Sequence, residues 1–418
     1  MQVLFVHQNF PAQFVHLSAA LAAQPGNKIF GLGENPNRTP PNVIHARYKK
    51  PQGHGDQTHR YLRQTEAAVR RGQATAQACW QLRNRGVNPD VIYCHPGWGE
   101  GLYLRDAFPD ARIIHYCEYY YRSQDGDVGF ERGAEVTIDD QARVRTMNLT
   151  QLLSLESADW CSSPTLWQRS RYPAWIRRMI SVVHEGVDPA FSTPDGPRTV
   201  TLPDGRVLGP EDEVVTLVAR HLEPYRGFHV ILRALPEIFA RRPSARILIV
   251  GGDDRGYGPM PPGGKSWKET ILAELGERLD LSRVHFAGRL AHDALQSVFR
   301  LSRAHLYFSY PFVLSWSVLE AMSCGALIIG SATAPVEEVI RHGENGLLVP
   351  FHDPAALAET VVRVLEKPDE YAPLRAAARR MVMEEFHLRD VILPRQIALI
   401  EALAAGKPGS DVIAPPQD

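Results

Sequence analysis

The chain has 418 residues, 44% of them hydrophobic and 22% charged, an ordinary globular composition with length for two or three domains. A net charge of −1 argues against a nucleic-acid or polyanion binder as its main role. No apolar run approaches the roughly 20 residues needed to span a bilayer, and the five scattered cysteines, with no metal-ligand spacing, fit a reduced, cytoplasmic setting.

The N-terminus, MQVLFVHQNF, lacks the basic opening of a signal peptide and reads as a first strand. A helical stretch to Ala23 follows, then the strand KIFGLG. After a long polar and helical stretch come DVIYCH, ARIIHYCEY, a helix near Ser154, and ISVVHEGVD. The run AFSTPDGPRT, rich in Pro, Gly and polar residues, reads as a seam. TLPDGRVL, with Asp-Gly between short apolar arms, reads as a hairpin. Six strand-like runs come next: EVVTLVAR, ARILIVGG, RVHFAG, AHLYFS, ALIIGS and GLLVP. Helical segments such as Val230–Arg241 and Trp267–Leu279 separate them. Alternation of strand and helix means parallel sheets covered by helices on both faces. The expected fold is therefore α/β, with two Rossmann-like domains, 1–192 and 193–388. A helix within 389–408 and a disordered tail, 409–418, complete the expectation.

The segment from Ala304 to Gly330 carries the most chemistry. It reads as strand, loop, helix, glycine stop and strand, with Ser315 as the N-cap. A helix opening at the carboxyl end of a parallel strand aims the free N–H groups of Trp316 and Ser317 at a ligand crevice, where they favour a phosphate. Glu320, one turn further in, can accept two hydroxyl hydrogen bonds, as from a ribose. Arg220 and Arg226, in VARHLEPYRG, follow a strand end and suit a diphosphate. Gly251 ends another strand, where a glycine lets backbone approach a ligand. Glu338 is expected to open the helix that leads to His342. In the first half, His95, Trp98, Glu100, Glu118, Tyr119, Tyr120 and Arg122 follow two strand ends. Aromatics and carboxylates there suit sugar binding, and Glu118 or His95 could serve as base or positioning group.

Other patterns carry less. GPMPPGGKS has a proline where a phosphate loop needs its leading glycine. Asp125–Asp127 matches the DxD of metal-dependent transferases, but the pattern is short and nothing near it supplies a metal site, so no metal ligand is assigned. Arg169, Arg171, Arg177 and Arg178 interleave with Tyr172, Trp175 and Ile176, a patch suited to peripheral contact with an anionic membrane.

The Ala304–Gly330 segment resembles the donor helix of the family 4 retaining glycosyltransferases, which have the GT-B fold. In that family two glutamates eight positions apart frame the loop and helix. Glu320 matches the second, and Phe312 stands where the first belongs. The resemblance implies two domains whose parallel sheets face a cleft, and transfer of a sugar, a hexose by default, from a nucleoside diphosphate to an acceptor hydroxyl without metal. The donor would lie on the second domain, with Arg289 and Leu290 beside the base and UDP as the default nucleotide. The acceptor would lie on the first domain, and the C-terminal helix would pack back there. The departure at Phe312 keeps open a non-catalytic sugar-nucleotide-binding subunit, and a GT-B epimerase or hydrolase of the same architecture is the other alternative.

Overall fold

A computed structural model gives the fold and describes residues 1–131 and 133–417. The chain forms two compact units. The first comprises Met1–Gly129, Ala134–Gly186 and Leu388–Asp418; the second comprises Phe130–Gly133 and Val187–His387.

The first unit is built on a parallel sheet of β1 (Gln2–Val6), β2 (Lys28–Gly33), β3 (Val43–Arg47), β4 (Val91–Cys94), β5 (Arg112–Tyr116), β6 (Trp160–Ser163) and β7 (Ile180–Val182). Their order is β3-β2-β1-β4-β5-β6-β7. The strands are near-continuous apolar runs because helices cover both faces: Val3, Leu4, Phe5 and Val6 of β1 are all fully buried. The chain moves outward from β1 through β3 and then returns to β4 on the other side. The topological switch point, where ligands bind in such sheets, therefore lies at the carboxyl ends of β1 and β4.

The C-terminal helix Leu393–Ala404 belongs to this unit. Its Leu399, Ile400 and Leu403 share a core cluster with Phe5, Phe14, Leu17 and Tyr93, and its Gln396 Nε2 donates to the His184 carbonyl at 2.9 Å. Of the tail expected to be disordered, residue 418 lies outside the described residues, and 409–417 are anchored instead. Ile413 is buried in that cluster, and Gly409 lies flat against the Trp160 indole. Arg169, expected on a membrane-facing patch, is buried and donates to the carbonyls of Arg177 (3.1 Å) and Pro416 (2.7 Å). Arg171 lies over the Trp167 ring and donates to the Gln124 carbonyl. These two guanidiniums are held by backbone carbonyls of their own unit, while Trp175 and Arg178 of the same stretch are exposed.

The second unit begins with an antiparallel pair, β8 (Val200–Thr201) and β9 (Val207–Leu208), around the Asp-Gly turn. Its main sheet contains β10 (Glu213–His221), β11 (Ala245–Gly252), β12 (Val284–Gly288), β13 (Ala304–Tyr307), β14 (Ile328–Ser331) and β15 (Leu347–Val349). All pairs are parallel, in the order β12-β11-β10-β13-β14-β15. Here the switch point falls at the carboxyl ends of β10 and β13. Among the described residues no helix is long and apolar enough to cross a membrane.

Candidate functional site

In the second unit, β10 ends in a bulge. Val218 pairs with Val250 and His221 with Gly252, so Ala219 and Arg220 together oppose Gly251. A Cβ on Gly251 would lie 2.5 Å from the Ala219 carbonyl oxygen. This glycine therefore serves the close approach of two strands of the protein. The bulge leaves Arg220 exposed, with no hydrogen bond or ion pair among the described residues. It turns His221 inward, 3.2 Å from Asp254.

Beyond the bulge, the 3₁₀ turn Pro224–Arg226 brings Arg226 back over the sheet. Its guanidinium is 8% exposed, donates to Ser309 Oγ at 2.9 Å and sits 5.9 Å from the ring centroids of both Tyr257 and Phe312. No carboxylate pairs with it among the described residues. Buried Phe312 thus puts an aromatic ring beside Arg226 where the resembling family has a glutamate. The quadrupole of such a ring accepts the cation without neutralising it.

Three residues that sequence reading passed over build this wall. Tyr225 stacks on Tyr310 at 4.6 Å and meets Phe312 edge-on at 5.2 Å. Buried Glu223 accepts from the backbone N–H groups of Tyr257 (3.0 Å) and Gly258 (2.9 Å), which holds the Tyr257 loop. Glu131, in the short stretch of this unit that comes from earlier in the chain, accepts from the Tyr310 hydroxyl and lies 3.1 Å from His229. Burial pulls its carboxyl up, but the His229 and Tyr310 hydrogen bonds outweigh this and hold it at about 2. All three lie beyond the reach of local patterns, since their contacts are far away in sequence.

The helix Trp316–Ser323 opens at the carboxyl end of β13 with Ser315 as its cap. Ser315 N–H donates to the Tyr307 hydroxyl at 2.7 Å, and its Oγ accepts from Ser317 N–H at 3.4 Å. Trp316 is exposed at the helix opening. Glu320 faces His292, with Oε1 2.7 Å from Nε2. That hydrogen bond, then the charge of Glu320, lifts the His292 pKa above 6.5 against the opposing effect of burial. His292 opens the next helix after Leu290, so Leu290 and Glu320 are neighbours through it. Leu290 packs on the core, while exposed Arg289 is ion-paired with Asp254. Glu338 does not open a helix. It caps the carboxyl end of Ala334–Glu337, where Pro335 takes the first turn.

In the first unit, His7 follows β1, His95 follows β4 and Glu118 follows β5. His95 Nδ1 accepts from the Gly97 N–H at 3.1 Å, which leaves Nε2 to donate to Glu118 at 3.1 Å. Trp98 stacks on His95 at 5.7 Å, and His7 meets it edge-on at 5.8 Å. Burial drives His7 down to about 3, so it stays neutral. For Glu118, desolvation pulls the carboxyl up, but the effects of His95, led by its hydrogen bond, oppose this and the carboxyl ends below its usual value. An ionised, partly exposed carboxylate oriented by a histidine thus stands beside the switch point.

The other residues of the expected cluster go elsewhere. Glu100 is buried against the Tyr48 hydroxyl. Tyr119 donates to Asp127 at 2.7 Å. Tyr120 packs on Tyr172, and Arg122 donates to the carbonyls of Arg171 and Tyr172. Glu100 lies in the loop after β4 and the other three further along the loop after β5, and all turn into the unit's own packing.

Comparison with known proteins fits both halves. The model of the glycosyl transferase family 4 group matches residues 25–191, and that of glycosyl transferases group 1 matches residues 205–381. A D-inositol 3-phosphate glycosyltransferase of Rhodococcus opacus is 34% identical over 41% of this chain and 37% of its own length. One of Mycolicibacterium smegmatis is 28% identical over 62% of this chain and 54% of its own length. The chain thus spans about half or less of these curated relatives. A sucrose-phosphate synthase of Thermosynechococcus elongatus shares the fold, with a TM-score of 0.72 at 19% identity over 97% of this chain and 100% of that one. Anabaena HepE, solved in complex with UDP, has a TM-score of 0.64 at 16% identity over the same shares. With two consecutive glycosyltransferase models over most of its length, on the architecture of solved GT-B proteins, the chain belongs to the family 4, group 1 glycosyltransferases.

Proposed function

We propose that the chain is a retaining, metal-independent glycosyltransferase that moves a sugar from a nucleoside diphosphate to an acceptor hydroxyl. The observation that carries this reading is Arg226. It is a buried guanidinium with no acidic partner among the described residues, at the switch point of its sheet and near the opening of Trp316–Ser323. When the bond from sugar to diphosphate breaks, negative charge grows on the leaving oxygens. Arg226 and the first N–H groups of the helix oppose that charge, with exposed Arg220 free to fold over it. Positive charge comes from the protein itself in this reading, so no metal is assigned.

Glu320 would hold the ribose through the oxygen that His292 leaves open, with Arg289 and Leu290 beside the base. UDP is our choice of nucleotide, in line with the UDP complex of the Anabaena neighbour. On the first unit, Glu118, oriented by His95, would bind the acceptor hydroxyl, with Trp98 offering a stacking face. The proton of that hydroxyl would pass to the leaving phosphate oxygen on the same face of the sugar, which retains the anomeric configuration.

A second reading, sugar-nucleotide binding without transfer, is favoured by Phe312. One panel separates the two. UDP-, GDP-, dTDP- and ADP-sugars are offered to the purified protein, and release of nucleoside diphosphate is followed with and without EDTA. Release from one donor class, indifferent to EDTA, supports the metal-free transferase. Release abolished by EDTA overturns the metal-free mechanism. Tight binding without release, across candidate acceptors, supports the second reading. A changed sugar formed without acceptor would mark an epimerase or hydrolase.

A further inference from the structure

A groove of about 490 Å³ lies on the first unit, between the chain leaving β3 and the helix Arg63–Asn84. Arg47, Lys49 and Lys50 form one wall, and Gln73, Gln77 and Gln81 form the other. The glutamines are four residues apart, so each helical turn presents one amide to the groove. Tyr48 is the floor: its ring is buried and its hydroxyl donates to Glu100 at 3.2 Å. Among the described residues no carboxylate lines the groove. Arg70 also borders it but is held by Glu66 at 2.6 Å. Arg47, Lys49 and Lys50 are exposed and make no ion pair among the described residues.

β3 is the edge strand of its sheet, and basic residues there discourage pairing with another chain. That accounts for the charges. It accounts neither for the concavity nor for the row of amides facing it. Three cations opposite three amides match a ligand that carries both anionic groups and hydroxyls. The volume is that of a site for a molecule of a few rings, well beyond a single phosphate. A membrane surface would call for exposed apolar side chains, whereas the apolar lining here is Pro51, Ala74 and Ala78. Single-stranded nucleic acid would call for exposed aromatic platforms, and among the described residues Tyr48, the one aromatic in the lining, is buried.

We propose that this groove binds an acidic oligosaccharide, a short sugar chain bearing anionic groups, at a surface separate from the His95–Glu118 pair. The inference does not depend on the transferase reading, because its readout is binding without turnover. The full chain is titrated calorimetrically with tetragalacturonate, neutral maltotetraose, inorganic phosphate and phosphatidylglycerol vesicles.

Tetragalacturonate is expected to bind roughly tenfold more tightly than maltotetraose or phosphate, and the triple variant Arg47→Ser, Lys49→Ser, Lys50→Ser to lose about that factor. Its affinity should fall as salt is raised, and fall less in the triple variant. The pair Gln73→Ala, Gln77→Ala should weaken binding while leaving the salt dependence in place. UDP affinity, unchanged in all variants, would show that the second unit is intact, and an unchanged circular dichroism spectrum would show the same for the first. No binding of tetragalacturonate, equal binding of phosphate, preference for the vesicles or full affinity in the triple variant would each overturn the proposal.

Discussion

Arg226 keeps an undivided positive charge because aromatic rings, not acids, surround it. Its contacts are Ser309 Oγ and the rings of Tyr257 and Phe312. An anion arriving there meets a donor already desolvated and oriented, so little is lost to reorganisation. Arg226→Ala is expected to cut nucleoside diphosphate release about 100-fold or more, the effect of removing one donor to a developing oxyanion. Arg226→Lys should recover part of this, since it restores charge but not the planar fork. Steady-state rates on the preferred donor check both, and a near-normal Arg226→Ala would remove this residue from the mechanism. Glu320 behaves differently, because His292 already engages it. The His292 pKa is raised, so the pair's stabilising contribution is fully present below the ordinary histidine value near 6.5 and is lost as pH rises through the raised value. In Glu320→Gln, the His292 imidazole should titrate nearer its ordinary value by NMR. UDP affinity should also fall about tenfold, as expected when a charged hydrogen-bond acceptor is lost. An unmoved His292 titration would show that Glu320 is not its partner in solution.

What holds these residues in place is the turn after each switch-point strand, and the two strands differ in how plainly the sequence announces them. The capped helix after β13 was legible: Ser315 caps it, and the helix stops at Cys324 just before Gly325. The bulge in β10 was not, because its cause is the pairing partner. Gly251 on the neighbouring strand is what admits Ala219 and Arg220 together. Two strands also escaped the pattern. β6 reads Trp-Cys-Ser-Ser, and its two serines are buried without apolar character, Ser162 sharing a hydrogen bond with the Tyr93 hydroxyl. β3 sits at the edge, where Ile44 and Arg47 face solvent and no apolar run is needed. In the first unit the loop after β5 misled in the same way. Its polar and aromatic composition suited a binding site, but Glu118 meets His95 beside the strand end while Tyr119, Tyr120 and Arg122 contact Asp127, Tyr172 and backbone carbonyls. The turn carrying Arg226 ends at Gly227, whose φ is +65° and whose added Cβ would lie 2.2 Å from Phe308 Cβ. Gly227→Ala should therefore destabilise the second unit by at least about 1–2 kcal/mol for the left-handed backbone alone. It should also weaken UDP binding by displacing Arg226. Denaturant unfolding together with UDP titration tests this, and a variant with normal stability and affinity would show that the turn tolerates a side chain.

At the scale of the whole molecule, the first unit is assembled from three stretches of chain, so its core cannot close without residues 388–418. Leu399, Ile400 and Leu403 complete the cluster around Phe5, Phe14 and Tyr93. The final segment then covers Trp160. Gly409 lies so close to the indole that an added Cβ would sit 2.4 Å from Nε1. Ser181 Oγ donates to the Ile413 carbonyl while itself accepting from Trp160 Nε1. Deleting residues 408–418 would uncover Ile413's site and the Trp160 edge, and it would leave Arg169 with one fewer carbonyl acceptor. Burying one isoleucine is worth roughly 1.5–3 kcal/mol, and about 3 kcal/mol in a unit of this size corresponds to a fall in melting temperature of roughly 6–12 °C. Calorimetry on the full and shortened chains measures it. Ile413→Ala alone should reproduce a substantial part of the fall, because the large buried side chain supplies most of the lost contact. UDP affinity should not change, since Arg226, Glu320 and the Trp316–Ser323 helix all belong to the second unit. A melting temperature within about 1 °C of the full chain's would mean that the segment contributes almost nothing to the stability of the first unit. Loss of UDP binding in the shortened chain would mean that the donor residues depend on the fold of the first unit as well as on their own.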